Sequence, residues 1–432
     1  MRKYVLVIIA LVLLSLLSGC INRETSATTK DQVNNRLFEL QKQYQDKLSQ
    51  GYELNETENL GLKANQAYKS GDYNLASKYL DEAFQKLRES KKPGGVTPAI
   101  VNVPNEYKDF NDKTTLWLDV KLAEWKPTEI KPMDFAVYDV FSSDDMFVKS
   151  NQEFDLKFLN ILEKTNANII VLYIRPNNYI SQKERYDTLI KTIRTGGKKL
   201  FIGARFDNTP MDLNKYEQEL TDYTKNIIAS IKPDYYGILI EPSTMETKHS
   251  FTASDEEWIA TVEKISELSK QLSPNTKTAV AGHKQELNFL QLASNINNVD
   301  IIGFNIYDMS GIYAEYSGYL GNGDVVGKTI DYANSKGKET WILETWVMDV
   351  TASKDKQVMG SHEFMKTIDS KWIQVITYYG QMHNMKVITP FFTGKFVEYT
   401  DDSSLFISSL NNNEHTQVYT SFKNLIQEFK VQ

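Results

Sequence analysis

The strongest constraint on the fold is a rhythm that begins at Met133. From there, short apolar and β-branched runs alternate with amphipathic segments of helical period, at intervals of roughly 30–50 residues. The runs are Phe135–Val140, Asn168–Ile174, Lys199–Ala204, Tyr235–Ile240, Lys277–Ala281, Asp300–Asn305, Glu339–Leu343 and Lys386–Phe392. Between them, Tyr216, Leu220, Tyr223, Ile227 and Ile231 fall on one helical stripe, and Ser254 with Glu257 forms a capping-box signature. Asn413 to Phe429 supplies a last outer helix. Eight strands, each followed by a helix, predict an α/β fold, a (β/α)8 TIM barrel over 133–432. The competing doubly wound sheet opens on a glycine-rich first turn, and Val140-Phe141-Ser142-Ser143-Asp144 has no glycine.

Ahead of the barrel the chain reads as four shorter pieces. Residues 1–19 have the plan of a secretion leader: Arg2 and Lys3, an apolar run from Val5 to Leu14, then Leu17-Ser18-Gly19-Cys20. The run is too short for a good membrane span. Residues 20–32 are polar, rich in Thr, and read as a tether. Over 33–92 a small helical stalk is expected: Val33, Leu37, Leu40, Tyr44 and Leu48 share one face and Gly51 breaks the pattern. A second helix carries Leu60, Ala64, Ala67 and Tyr68; Gly71-Asp72 turns the chain; a third carries Ala76, Leu80, Ala83, Phe84 and Leu87. Residues 93–132 form a linker and the lead-in to the barrel, with Thr97 to Pro132 expected as an extra strand or a cap.

Several chemistries are disfavoured. Cys20 is the only cysteine, which leaves no internal disulfide, no cysteine nucleophile elsewhere and no cysteine-based zinc site. A net charge of −7 argues against a nucleic-acid partner. The five histidines contain no His-x-His or His-Glu-x-x-His spacing, so neither metal nor cofactor is expected. Asp207, Glu241 and Glu286 follow successive strands and are the one weighed magnesium set, but no lysine lies in the carboxyl half of a strand to act as base.

Catalytic groups of such barrels converge at the carboxyl ends of the strands. Those ends carry Asp139, Arg175, Arg205 with Asp207, Glu241, His283, Tyr307 with Asp308, Glu344 with Trp346, and Phe391 with Phe392. Two of them stand out. Tyr235 to Ile240 ends in Glu241-Pro242, and Thr340 to Leu343 ends in Glu344 between two of the six tryptophans. A buried strand has no use for a charge, so each glutamate belongs where its strand leaves the core. The prediction is a pair of carboxylates facing one cleft, in which mutual repulsion raises one pKa. The loop Asp308 to Asp324, rich in Gly and Tyr, is a candidate lid or an ordinary surface excursion.

Three short motifs resemble known families. Leu17-Ser18-Gly19-Cys20 resembles the lipobox of bacterial and archaeal lipoproteins, which implies a lipidated Cys20 that anchors the chain to the outer face of a membrane. Ala67 to Ala76 resembles the joint of a tetratricopeptide repeat, although one unit is present where a stable array needs about three. Glu241-Pro242 and Leu343-Glu344-Thr345 resemble the acid/base and nucleophile strands of the retaining glycoside hydrolases with (β/α)8 barrels, the cellulase and β-galactosidase-like clan. That resemblance implies Glu344 as nucleophile, Glu241 as acid/base, Tyr307 touching the nucleophile and Arg175 supporting it, with an oligo- or polysaccharide substrate. Asp139, Arg205, Asp207, His283, Trp346 and Phe391 complete the expected substrate-binding set. The chain departs from the clan at Ile240, where an asparagine usually binds the sugar's 2-hydroxyl, and at Phe391-Phe392, where many relatives carry tryptophan. Ile240 therefore keeps an alternative open, a non-catalytic glycan-binding lipoprotein with a degenerate barrel.

Overall fold

The computed structural model describes residues 27–49, 52, 54–90, 103, 108–139, 152–307, 324–347, 364–399 and 403–430. The leader, Cys20, Asp308 and nearly all of the 308–324 loop lie outside the described residues. The chain divides into two compact units, Met1–Lys126 and Pro127–Gln432.

In the first unit, α1 (Ala27–Ser49), α2 (Asn55–Lys69) and α3 (Tyr73–Glu89) follow the expected three-helix pattern. Helix α1 starts inside the segment read as a tether, because nothing from Ala27 to Gln32 breaks a helix. Gly71 takes a left-handed φ of 80° at the turn, and the Asp72 side chain caps α3 by accepting from the Leu75 amide at 3.0 Å. Val33, Leu37, Leu40, Ala64, Ala76, Leu80 and Leu87 form one buried core. The lead-in holds a helix, α4 (Lys108–Glu124), and no strand among its described residues.

The second unit is a closed barrel of eight parallel strands in sequence order, β1 to β8. They are β1 (Asp134–Tyr138), β2 (Ile169–Ile174), β3 (Lys199–Ala204), β4 (Tyr235–Ile240), β5 (Lys277–Gly282), β6 (Ile301–Ile306), β7 (Glu339–Thr345) and β8 (Val387–Pro390). Parallel strands are covered on both faces, which is why Ile169–Ile174 is buried at every residue and reads as one apolar run. Helices α5 (Gln152–Glu163), α6 (Pro176–Ser181), α7 (Lys183–Thr195) and α8 (213–231, with a π turn at Thr224–Ile228) follow the first three strands. Then come α9 (Pro242–His249), α10 (Asp255–Leu272), α11 (Leu287–Ala293), α12 (Val325–Ser335), α13 (Met365–Met382), α14 (Ser403–Asn412) and α15 (Gln417–Lys430). The capping box of α10 is present in both directions: Glu257 N–H donates to Ser254 Oγ at 3.3 Å and Ser254 N–H to Glu257 at 2.8 Å. The expected last helix begins only at Gln417, because Asn413 sits at φ 56° and separates it from α14.

Side-chain size graduates across the barrel interior. Phe201, Tyr235 and Trp341 meet there at ring distances of 6.1 and 4.7 Å. Above them, a Cβ on Gly203 would fall 2.2 Å from the Tyr173 ring, so only glycine leaves that ring its place.

Candidate active site

Glu344 owes its direction to an irregularity in β7. Trp341 points into the barrel, and strict alternation from it would send Thr345 inward and Glu344 out among the helices. The pairing with β6 runs Phe304 opposite Ile342 and then Asn305 opposite Glu344, so Leu343 is an extra residue. The bulge re-phases the strand. Thr345 faces outward, where its hydroxyl accepts from Trp372 Nε1 of α13 at 2.9 Å, and Glu344 faces the interior. There Tyr173 of β2 donates to Oε1 at 2.5 Å, and Tyr307, just past β6, donates to Oε2 at 2.7 Å. Tyr173 is buried and Tyr307 half-buried, and desolvation of the hydroxyls holds both pKa values well above the ordinary range, so they act as fixed hydroxyl donors.

Glu241 is held differently. It ends β4 in left-handed backbone, φ 56°, and Pro242 opens α9 directly after it. The kink is braced from below by Glu286, whose two oxygens accept from Ser243 N–H at 2.7 Å and His283 N–H at 2.8 Å. His283 Nε2 also lies 3.2 Å from Ser243 Oγ. On the carboxylate itself, Thr244 donates to Oε2 at 2.9 Å and the Asn305 amide to Oε1 at 2.9 Å.

Both carboxylates line one cavity of about 500 Å3. Its wall includes Tyr173, Arg205, Ile240, Lys248, His283, Lys284, Asn305, Tyr307, Phe391 and Phe392. Burial, and then the charge of Glu241, raise Glu344 from 4.5 to about 7. The two phenol hydroxyls and Arg205 pull the other way without cancelling that rise. Desolvation and the charge of Glu241 outweigh the hydrogen bonds.

The sequence-predicted residues divide cleanly. Glu241, Glu344, Arg205, His283, Tyr307 and Phe391 meet at the cavity. Arg175 lies 3.8 Å from Asp207, and neither lines the cavity. The supporting contacts come instead from Tyr173, with the charge of Arg205. Trp346 is 1% exposed beneath Phe392, with rings 6.2 Å apart, so it cannot offer a face to a ligand. Phe391 and Phe392 form that aromatic wall, with Tyr138 stacked on Phe391 at 4.7 Å. Asp139 is fully buried behind them and is not part of the lining. Glu286 is committed to backbone amides, and no three His, Cys, Asp or Glu side chains among the described residues converge to hold a metal.

Two residues were missed by the sequence reading. Tyr173 hides in the run Ile169–Ile174 as one more core residue. Asn305 carried a signal: an amide inside an apolar strand needs a reason.

No family model and no curated protein matches the chain. Among solved structures it is similar to a β-D-glucuronidase of Dictyoglomus thermophilum, with a TM-score of 0.45 and 11% identity over 69% of this chain and 51% of that one. It is also similar to a GH10 protein of Paenibacillus barcinonensis, with a TM-score of 0.42 and 11% identity over 72% of this chain and 97% of that one. A third is β-glucuronidase 2 of Bacteroides uniformis, with a TM-score of 0.42, 13% identity and 60% of this chain covered, which spans 30% of that protein's length. None of these likenesses carries weight for the chemistry, which rests on the side chains at the barrel mouth.

Proposed function

We propose that the barrel hydrolyses a glycosidic bond with retention of configuration, Glu344 acting as nucleophile and Glu241 as acid/base. The observation that carries this reading is a carboxylate clamped at both oxygens by phenol hydroxyls that shares one cavity with a second carboxylate. A Glu344 oxygen attacks the anomeric carbon, and the bond to the leaving oxygen breaks with its electron pair. That oxygen takes the proton of Glu241. Glu241, now a carboxylate, removes a proton from water, whose oxygen displaces Glu344 from the anomeric carbon. Arg205, Tyr173 and Tyr307 lower the cost of ionising Glu344 inside the barrel, and the Phe391–Phe392 wall offers apolar faces to a sugar ring.

A second reading is favoured by Ile240, an apolar side chain on the cavity wall beside the acid/base: a glycan-binding barrel without turnover. Incubation of the full chain with mechanism-based fluoroglycosides, followed by peptide mass spectrometry, separates the two. Hydrolysis expects a sugar on Glu344, absent in Glu344→Gln. Sugar binding without adduct or product selects the second reading.

We place the chain on the outer face of a membrane through lipidated Cys20, on the strength of the lipobox motif alone. Labelling of expressing cells with an alkynyl fatty acid expects incorporation that Cys20→Ala abolishes.

A further inference from the structure

We infer that Asn305 recognises the hydroxyl next to the reacting carbon of the sugar, and that it also positions Glu241. The inference rests on the glycosidase reading above. Asn305 is 2% exposed, lines the cavity, and stands opposite Glu344 in the β6–β7 register. Its Nδ2 donates to Glu241 Oε1 at 2.9 Å, so it touches one carboxylate and neighbours the other.

The other half of the amide carries the argument. Its Oδ1 is buried and has no hydrogen-bond partner among the described residues. With Nδ2 facing Glu241 Oε1, the carbonyl oxygen of the amide is left for another partner. A buried carbonyl oxygen without a donor is costly, and native structures rarely leave one so. The nearby hydroxyls are already engaged: Tyr173 and Tyr307 on Glu344, Thr244 on Glu241. A hydroxyl brought into the cavity by a ligand supplies the missing donor.

Sugar chemistry identifies that donor. A carbon attacked between the two carboxylates is flanked by the ring oxygen, which only accepts, and by C2, whose hydroxyl donates. An acceptor placed beside both carboxylates matches the C2 hydroxyl. As positive charge grows on the anomeric carbon that hydroxyl becomes a better donor, so the bond strengthens as the reaction proceeds and contributes to rate. A side-chain amide on β6 thus supplies what Ile240 cannot supply from β4.

The test compares 4-nitrophenyl glycosides of several pyranoses with their 2-deoxy counterparts, on wild type, Asn305→Ala and Asn305→Asp. Wild type is expected to lose on the order of a thousandfold in kcat/KM without the 2-hydroxyl, and Asn305→Ala about tenfold. Asn305→Asp keeps an acceptor in the same volume, so it retains the discrimination while its pH profile moves, because it brings a third carboxylate and no N–H for Glu241. An equal 2-deoxy penalty in wild type and Asn305→Ala overturns the inference. If no glycoside turns over, the hydrolytic reading fails by itself, and the same comparison is made on dissociation constants of methyl glycosides and their 2-deoxy forms. A 2-deoxy penalty in binding that collapses in Asn305→Ala supports the inference. An unchanged penalty, or no binding by any sugar, overturns it.

Discussion

The ends of β4 and β7 solve the same problem in opposite ways. Glu344 sits inside its strand, 7% exposed, with each oxygen held by a phenol from a different part of the barrel. Glu241 sits beyond its strand, in a left-handed kink, half-buried, with a hydroxyl partner in Thr244 and an amide in Asn305. A carboxylate built into the sheet has its position fixed by the core, and it carries the cost of burial in a raised pKa. A carboxylate on a kink keeps contact with the cavity mouth, where a leaving group and a water must arrive. The contrast fits a fixed nucleophile and a proton carrier.

The sharpest way to break the contrast is Glu344→Gln. If Glu344 is the proposed nucleophile, turnover is expected to fall at least about a thousandfold. The same variant has a stability signature that needs no substrate. Between 4.5 and about 7 the folded chain retains a proton that the unfolded chain has released, so wild-type stability falls as pH rises through that window. Glutamine removes this dependence. Denaturant titrations at pH 8 should find the variant more stable by on the order of 3 kcal/mol, with no such gain at pH 4.

Tyr173→Phe sharpens the comparison at the β7 end. Loss of one hydroxyl donor to the carboxylate raises the Glu344 pKa further, and the acid limb of kcat/KM should move from near 7 to higher pH by about 1–2 units. An unmoved limb would assign it to another group. The smallest effect is expected at the β4 end, from Glu286→Gln. An amide carries one acceptor oxygen where the carboxylate has two, so one of the Ser243 and His283 N–H groups loses its partner. A stability loss of about 1–3 kcal/mol is expected, with the Glu344 titration unchanged.

Much of the barrel was legible because parallel strands covered on both faces leave continuous apolar runs: Lys199–Ala204 and Tyr235–Ile240 match residue for residue. The place of Glu241 just beyond β4 was readable for the same reason, since a charge ends such a run, whereas β7 continues through Glu344 to Thr345 and keeps that charge inside the strand. The direction of Glu344 was not readable. The bulge at Leu343 decides whether Glu344 or Thr345 faces inward, and no residue type in Trp341-Ile342-Leu343 announces it. Arg175 and Trp346 were misplaced because the turns after β2 and β7 set where those side chains go, and turn geometry is the least sequence-determined part of such loops. Asn305 was legible only as an amide at the end of an apolar run, because its facing depends on the same β6–β7 register.

Gly203 ties these threads together. The Tyr173 ring occupies the space that any larger residue at 203 would need, and the same ring carries the hydroxyl that grips Glu344. Enlarging a residue of the barrel wall therefore dislodges a proton donor on the neighbouring strand and retunes an acid held on the seventh. In this barrel, the fit of the interior and the acidity of the site are a single variable, and neither can drift without the other.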